Sequence, residues 1–387
     1  MPARVAYVDH AIEVGGAEKS LTELVARLDP ARYEPVLLHS PGAKWITSEA
    51  LQGIAKVEAF QTRVIPASGP GSRPEYPLGG VRKLRFGVGP VRRVYSALKA
   101  CQPDVVHTNA LRSHVIGGIA ARLAGKPLVW HVRDIVDGKA LRILRVWARL
   151  LHPRVIAISH AVAAKLAGLS APVTVIPNGI ALERFTPGEP PPGMREALGI
   201  GERDPIVIIV SRLTPWKGHR TLLDAMVRLR DAWPNLVLLV AGEVAFWDPR
   251  YESDLKQYAD DLGLGEAVKW LGDRDDVPEL LRLADVFCLP SKREPFGRAI
   301  AEAMAVGKPV VACRSGGAPE VVAEGETGLL VADEAPEELA GALAALLADG
   351  AMARLYGEAG HARAQAMFDV GRVAEQVQAV YDAMLGG

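Results

Sequence analysis

The sequence lacks a long apolar run. No stretch of its 387 residues reaches the ~18–20 apolar residues a membrane-spanning helix needs, so no such helix is expected. The opening MPARVAYVDH has no basic region followed by an apolar core, and no secretory leader is expected. Cysteine is scarce. Cys101, Cys288 and Cys313 are an odd number, widely spaced, with no CxxC pair. A disulfide framework or a structural zinc site is therefore not expected, and a reducing compartment fits. Low-complexity tracts and internal repeats of 20–50 residues are also missing. What remains is an ordinary globular composition, 49% hydrophobic and 23% charged, which excludes global disorder and fibrous folds. At this length about two domains are expected.

Net charge is zero, but unevenly built. Residues 1–180 hold 24 Lys and Arg against 12 Asp and Glu; residues 181–387 hold 21 against 33. Opposite signs fit two domains with different partners. Drift between domains and their mutual attraction would give the same numbers.

Short apolar runs alternate with stretches of helical length. Strands are expected at 3–10, 34–39, 103–108, 127–132, 154–159 and 173–177. After a break they resume at 205–211, 235–242, 267–272, 285–290 and 308–313. Most are continuously apolar, as strands buried on both faces of a parallel sheet are. The strand–helix rhythm predicts α/β architecture with two doubly wound, Rossmann-like domains facing a central cleft. PGEPPPG resists helix and inner strand, which sets a linker near 180–195. The domains are read as 1–180 and 181–369. A second irregular stretch, 65–80, is long enough to be functional or mobile. GRVAEQVQAVYDAML (371–385) has apolar residues at helical spacing.

Ligands of open α/β sheets lie beyond the carboxyl ends of the strands, so the loops there are expected to carry the chemistry. The first is EVGGAEKS (13–20). Gly15 and Gly16 allow backbone to approach a ligand, and a helix starting near Ala17 offers free N–H groups. Neither GxxxxGK[ST] nor GxGxxG is present there. SRLTPWKGH (211–219) holds a forked donor, Arg212, and a point cation, Lys217, near a helix start. A diphosphate suits that arrangement, although two surface cations would read alike. In PSKREPFGRAIAEAMAVGKPVVACRSGGAPEVV (290–322), Glu294 and Glu302 are eight apart. The first falls in a loop and the second in the following helix, both able to face one ligand. A carboxylate accepts two vicinal hydroxyls, as on a ribose or hexose. Arg314, Ser315, Gly316 and Gly317 read as a further flexible loop for backbone contacts to phosphate or sugar.

Together SRLTPWKG, the E-x7-E of EPFGRAIAE, AMAVGKPVVA, SGGAPEVV and GETGLLV resemble the retaining glycosyltransferases of family four, with the GT-B fold. GGAE, the His of WHVRD (130–134) and VIPNGI (175–180) match in the first half, so the resemblance spans essentially the whole chain. It implies a sugar-nucleotide donor whose diphosphate is neutralised by Arg212 and Lys217, and a ribose held by Glu302. It sets Glu294 near the transferred sugar, with the backbone of Phe296, Gly297 and Arg298 beside it. Gly316 and Gly317 are counted on the donor side. Gly16 matches the glycine that lets the first loop touch phosphate or acceptor. His131 matches the histidine beside the sugar on the acceptor side, where Gly15 and Asn109 are also placed. The C-terminal helix (370–387) is expected to cross back onto the first domain.

The implied reaction retains the anomeric configuration, with attack on the face of departure and the diphosphate taking the acceptor proton. His131 then orients the sugar and is not a base. No cofactor and no metal are expected; Asp273-Arg274-Asp275 spells DxD but follows a strand, in the wrong architecture for the metal-binding version. One departure is GEVAFWDPRYE (242–252), where Glu243, Phe246 and Trp247 replace the family's short acidic-glycine turn and leave base and sugar preference open.

The acceptor is a glycan, a lipid-linked sugar or a small molecule. Arg82, Lys83, Arg85, Arg92 and Arg93, and the amphipathic stretch 138–152, raise peripheral contact with an anionic membrane at the inner face of the cell membrane. The same stretch also reads as a packing helix with snorkelling arginines. No zinc-finger or RNP signature is present, and nucleic acid is not an expected partner. The chain is read as cytoplasmic. A sugar-nucleotide epimerase of the same architecture and a non-catalytic nucleotide-sugar binding protein are the competing readings.

Overall fold

A computed structural model describes residues 1–60, 88–245 and 248–386. The irregular stretch at 65–80, Arg82, Lys83 and Arg85, and Phe246 and Trp247 lie outside these residues. The chain divides into two compact units. Unit 1 is Met1–Gly179 with Val370–Gly387, and unit 2 is Ile180–Asp369.

Unit 1 alternates strands and helices: β1 (Ala3–Val8), α1 (Gly16–Ala26), β2 (Tyr33–His39), β3 (Ala55–Glu58), α2 (Val88–Cys101), β4 (Val105–Thr108), α3 (Leu111–Leu123), β5 (Leu128–Val132), α4 (Gly138–Leu151), β6 (Arg154–Ala157), α5 (His160–Lys165) and β7 (Val173–Val175). The strands form one parallel sheet in the order β3-β2-β1-β4-β5-β6-β7. Its central strands β1, β4 and β5 are buried along most of their length, with Arg4, His107, Thr108 and His131 among mainly apolar residues, because helices cover both faces. β3, AKVE, escaped the sequence reading: it is a mostly exposed edge strand with no apolar run.

Unit 2 repeats the plan with α6 (Met194–Ala197), β8 (Ile206–Val210), α7 (His219–Leu229), β9 (Val237–Ala241), α8 (Tyr251–Asp261), β10 (Val268–Gly272), α9 (Val277–Leu283), β11 (Val286–Leu289), α10 (Arg298–Ala305), β12 (Val310–Cys313), α11 (Ala318–Val321), β13 (Gly328–Val331), α12 (Pro336–Ala348) and α13 (Gly350–Met367). Its parallel order is β10-β9-β8-β11-β12-β13. β13 is the second strand the sequence reading left unassigned, a four-residue edge strand starting at a glycine. Residues 180–185 are not a free spacer. Ile180, Ala181 and Phe185 are buried in unit 2, and Arg282 Nε donates to the Thr186 carbonyl at 2.9 Å.

The last helix, α14 (Val370–Leu385), belongs to unit 1. Val373, Ala374, Val377 and Tyr381 enter the core built by β1, α1 and β2. Burying each large apolar side chain contributes about 1.5–3 kcal/mol. Polar groups fix the helix's register: the Asp29 N–H donates to Gln378 Oε1 at 2.9 Å, and Asp382 accepts from Tyr33 and pairs with Arg32. A Cβ on Gly179 would meet Val370 Cα at 2.7 Å, so the entry to the helix needs a glycine there.

All three cysteines are free. Among the described residues no single helix is long and apolar enough to cross a membrane.

Candidate functional site

In each sheet the winding direction reverses once, between β1 and β4 in unit 1 and between β8 and β11 in unit 2. Crevices open at the carboxyl ends of strands where that happens. The loops after β8 and β11 carry Arg212, Lys217 and Glu294.

After β8 the chain runs through a 3₁₀ turn, Pro215–Lys217, and enters α7 through Gly218 at φ +76°. A Cβ on Gly218 would stand 2.0 Å from the Pro290 carbonyl oxygen. The two loops therefore touch backbone to backbone, and Lys217 Nζ reaches Glu294 Oε2 at 2.6 Å. Ser291 Oγ donates to the same oxygen at 2.7 Å. Both charged side chains are about nine-tenths buried, at 12% and 11% exposure. Burial pushes the Glu294 carboxyl up. The Lys217 charge and hydrogen bond, the Ser291 hydroxyl and the nearby Arg212 charge outweigh it and hold the group below the usual carboxylate range. Glu294 is thus ionised at neutral pH, and one anion sits among two cations. Buried ion pairs contribute little net stability, because desolvation offsets their attraction. Ser291, three residues before Glu294, was not singled out in the sequence; its only signal was a hydroxyl directly after a strand.

Glu294 is aimed by backbone. Arg293 takes a left-handed φ of +56°, and its N–H donates to Ser315 Oγ at 3.0 Å. The Gly317 N–H donates to the Glu294 carbonyl at 2.6 Å. A Cβ on Gly316 would lie 2.1 Å from the Glu294 oxygen, and one on Gly317 2.4 Å from the Pro295 oxygen. The reading of 314–317 as a flexible loop is therefore corrected. Its glycines are required by the packing of the Glu294 loop, and Arg314 is held by Glu324 and the Leu330 carbonyl. Gly316→Ala combines a left-handed backbone with a steric overlap, and about 3 kcal/mol of unit 2 stability is expected to be lost. Chemical denaturation checks this, and an unchanged midpoint would contradict it.

α10 begins after Gly297, at φ +99°, and Phe296 packs edge-on against Phe368, 5.4 Å between centroids. Glu302 lies one turn into the helix, 8% exposed, and accepts from Arg298 Nε at 2.7 Å. The Arg298 side chain thus serves Glu302, while its backbone stands at the helix start. After β10, Arg274 of the DxD turn forms a two-pronged pair with Asp276. Glu243 is exposed, and its carbonyl accepts from the Leu213 N–H at 2.9 Å.

In unit 1, Gly15 caps α1 in extended conformation, and its N–H donates to Glu18 Oε2 at 2.9 Å. Glu18 thus caps the helix, satisfying a terminal donor. Gly16 opens α1 one residue earlier than expected from the sequence, and a Cβ there would meet nothing within 4 Å. Among the described residues nothing requires glycine at that position.

Beyond β4 and β5 lies a buried polar network that the sequence did not reveal. Asn109 Nδ2 donates to Asp9 Oδ2 at 2.7 Å, and its Oδ1 accepts from Arg133 Nε at 2.5 Å. Arg133 also donates to Asn178 Oδ1. Asn109, placed on the acceptor side, bridges a buried cation and a buried carboxylate. His131 is the penultimate residue of β5, at 1% exposure. Its Nδ1 lies 3.2 Å from His107 Nε2 and 3.3 Å from Arg133 Nη2, while its buried Nε2 has no hydrogen-bond partner among the described residues. Burial, then the Arg133 charge, drives its pKa well below the ordinary value, so the ring is neutral. In sum, Arg212, Lys217 and Glu294 gather in unit 2 with Glu302 on the adjoining helix, and Gly15, Gly16, Asn109 and His131 belong to unit 1.

The model described as Glycosyl transferases group 1 matches residues 192–363, and that described as Glycosyltransferase Family 4 matches 14–184. The D-inositol 3-phosphate glycosyltransferase of Actinosynnema mirum is 33% identical over 303 residues, covering 72% of each chain. The lipopolysaccharide core biosynthesis mannosyltransferase LpsB of Rhizobium meliloti is 31% identical over 287 residues, 68% of this chain and 82% of LpsB. Among solved structures, Anabaena HepE in complex with UDP and glucose superposes with a TM-score of 0.82 at 28% identity, covering 98% of this chain and 99% of HepE. Two parallel α/β units, a basic–acidic cluster at the switch point of the second, and relatives of this extent lead to one assignment: the chain belongs to the family-four, group 1 glycosyl transferases of GT-B fold and is a glycosyltransferase.

Proposed function

We propose that the chain moves a hexose from a nucleoside diphosphate sugar to an acceptor hydroxyl with retention of anomeric configuration. The observation that carries this is the buried Lys217–Glu294 pair with Arg212 beside it. Two cations and one anion leave a net positive charge at a sheet switch point, which suits a leaving diphosphate. In the proposed step the bond from C1 to the diphosphate oxygen breaks and the acceptor oxygen bonds to C1 on the same face. The acceptor proton passes to the departing diphosphate, so no separate base is required. Arg212 and Lys217 meet the negative charge that develops, Glu294 faces the sugar cation, and Glu302 holds the ribose hydroxyls. The backbone at Phe296, Gly297 and Arg298 borders the donor. His131 orients the sugar, and the first loop at Gly15 and Gly16 serves the acceptor side. These cations take the part a divalent metal plays elsewhere, and turnover is expected to be unchanged in EDTA; loss restored by magnesium would contradict this.

HepE is described with UDP and glucose, and a phosphatidylinositol monomannoside mannosyltransferase of Mycolicibacterium smegmatis, 36% identical over 203 residues, as GDP-mannose-dependent; these support UDP- and GDP-hexoses as the first donors to test. Acceptors to test are glycans, lipid-linked saccharides and small molecules, inositol phosphate among them. Product mass separates transfer from epimerisation, and the anomeric coupling of the product reports retention. An epimer of the donor without a new glycosidic bond, or binding without turnover, would overturn the proposal. Nucleotide choice is read by thermal shift: a ligand at ~100 times its Kd adds about 2.7 kcal/mol of stability. Gly16→Ala is a sharper probe. Among the described residues there is room for the methyl group, so the melting temperature is expected to hold or rise slightly, while kcat/KM falls because a ligand must use that space. Unchanged transfer would remove Gly16 from the site.

We propose peripheral contact with an anionic membrane, supported by one observation. Leu144, Ala148 and Leu151 of α4 are buried, while Arg142, Val146, Arg149 and Leu150 are exposed together on its outer face. Such a face suits anionic lipid. Co-sedimentation with anionic but not neutral liposomes is expected, and no binding to either would end this placement.

A further inference from the structure

Helix α10, RAIAEAMA, carries two charged side chains among alanine, isoleucine and methionine: Arg298 at its first position and Glu302 one turn on. Arg298 Nε donates to Glu302 Oε1 at 2.7 Å, and the two side chains are only 10% and 11% exposed. Helix physics does not account for this pair. A cation in the first turn opposes the helix dipole. At a spacing of four the favourable order puts the carboxylate before the cation, and here the order is reversed. Burial does not account for it either, since desolvating both charges offsets their attraction and an apolar pair of similar volume is often as stable. Residues that break local rules without a gain in stability mark functional positions. What the bond supplies is direction. A carboxylate has about four lone-pair sites. One N–H takes one of them, fixes the plane of the group and leaves capacity for two vicinal hydroxyls. A carboxylate paired in this way only accepts, so whatever it holds must donate.

We propose that Arg298 is a positioning residue: its side chain sets the Glu302 carboxylate so that both ribose hydroxyls are required, and the donor site selects ribonucleotide over deoxyribonucleotide sugars. This rests on the reading of Glu302 as the ribose ligand. A missing 2′-hydroxyl leaves a buried carboxylate lone pair without its donor, and a site built to hydrogen-bond a hydroxyl rejects the analogue that lacks it. The donor class thereby narrows to ribonucleoside diphosphate sugars, and deoxyribonucleoside diphosphate sugars are poor donors whatever their base.

Calorimetric binding on the full chain tests this, with UDP and GDP each set against its 2′-deoxy form. For the nucleotide that binds, wild type is expected to prefer the ribo form at least about tenfold, the worth of one hydrogen bond to a charged group. Arg298→Leu is expected to bring that ratio below about threefold, the ribo form losing affinity and the deoxy form little changed. Arg298→Gln, whose amide still donates, keeps an intermediate ratio. In turnover the donor KM rises while kcat holds, because the ribose is held alike in the ground and transition states. Each ratio compares two ligands on one variant, so a general loss of structure does not move it. The double change Arg298→Leu with Glu302→Leu is expected to melt no lower than wild type; a clear fall would make the pair a structural element and count against the proposal. A wild type that binds both forms alike, an undiminished ratio in Arg298→Leu, or equal losses there for both forms would overturn it. Glu302→Gln with unchanged affinity for the ribonucleotide would instead remove Glu302 from the ribose.

Discussion

Arg212→Ala is expected to lower kcat for sugar transfer about 100- to 1000-fold, the cost of losing one preorganised donor aimed at developing charge. Arg212 is the forked cation of the cluster, on the loop after β8. Lys217 has its ammonium committed to Glu294 at 2.6 Å, and the two lie within the same buried surround. Removing Arg212 leaves that pair intact and balanced, so the fold is expected to survive; the loss falls on the step in which the diphosphate gains charge. Arg212→Lys keeps the charge but loses the planar fork, and activity is expected between the two. The KM for the donor rises less than kcat falls, because the stabilised charge belongs to the transition state. Full turnover by Arg212→Ala would remove the diphosphate from this loop.

The second large effect is on acid stability. His107, His114 and His131 are 0–2% exposed, and burial lowers all three, His114 to about 3. A folded-state pKa below the unfolded 6.5 means that the unfolded chain binds protons the folded chain refuses. Their contribution is therefore intact above about pH 6.5 and is lost as pH falls from there toward 3. One pH unit below 6.5 the three together cost about 4 kcal/mol, a large part of an ordinary domain's stability. His10, lowered to about 3 but one-fifth exposed at its side chain, acts in the same direction. Asp9 works against them: burial raises its carboxyl, and early protonation there returns part of the loss. Circular dichroism melts from pH 8 to pH 5 are expected to show the transition temperature falling from about 6.5 downward. A flat profile until the carboxylate range would mean the histidines are charged in the folded protein.

Much of the architecture was legible because both sheets are parallel and covered, so their strands appear as unbroken apolar runs. β3 and β13 were not, being short edge strands, one of them mostly polar. Arg212, Lys217, Glu294 and Glu302 stood out because each follows a strand or starts a helix within a few residues. What brings them together did not. Gly218 was not singled out and Gly316 was read as part of a flexible loop, yet each is fixed by a carbonyl about 2 Å from where its Cβ would be. The unit 1 network was hidden for a different reason. Asp9 and Asn109 are 100 residues apart, and His107 and Tyr381 are 274 apart. Periodicity and spacing are local signals, and a contact closed through the whole chain leaves none in the sequence. Asn178 lay in a motif quoted above, but no local feature linked it to Arg133.

The most direct measurement is calorimetric binding of nucleoside mono- and diphosphates, UMP with UDP and GMP with GDP, to wild type and Arg212→Ala. If Arg212 and Lys217 hold the diphosphate, one base is bound, its diphosphate at least about tenfold tighter than its monophosphate, and Arg212→Ala erases that difference while the monophosphate is little changed. Equal affinity for mono- and diphosphate in the wild type, or a preference that survives Arg212→Ala, would contradict the assignment of this cluster to the donor.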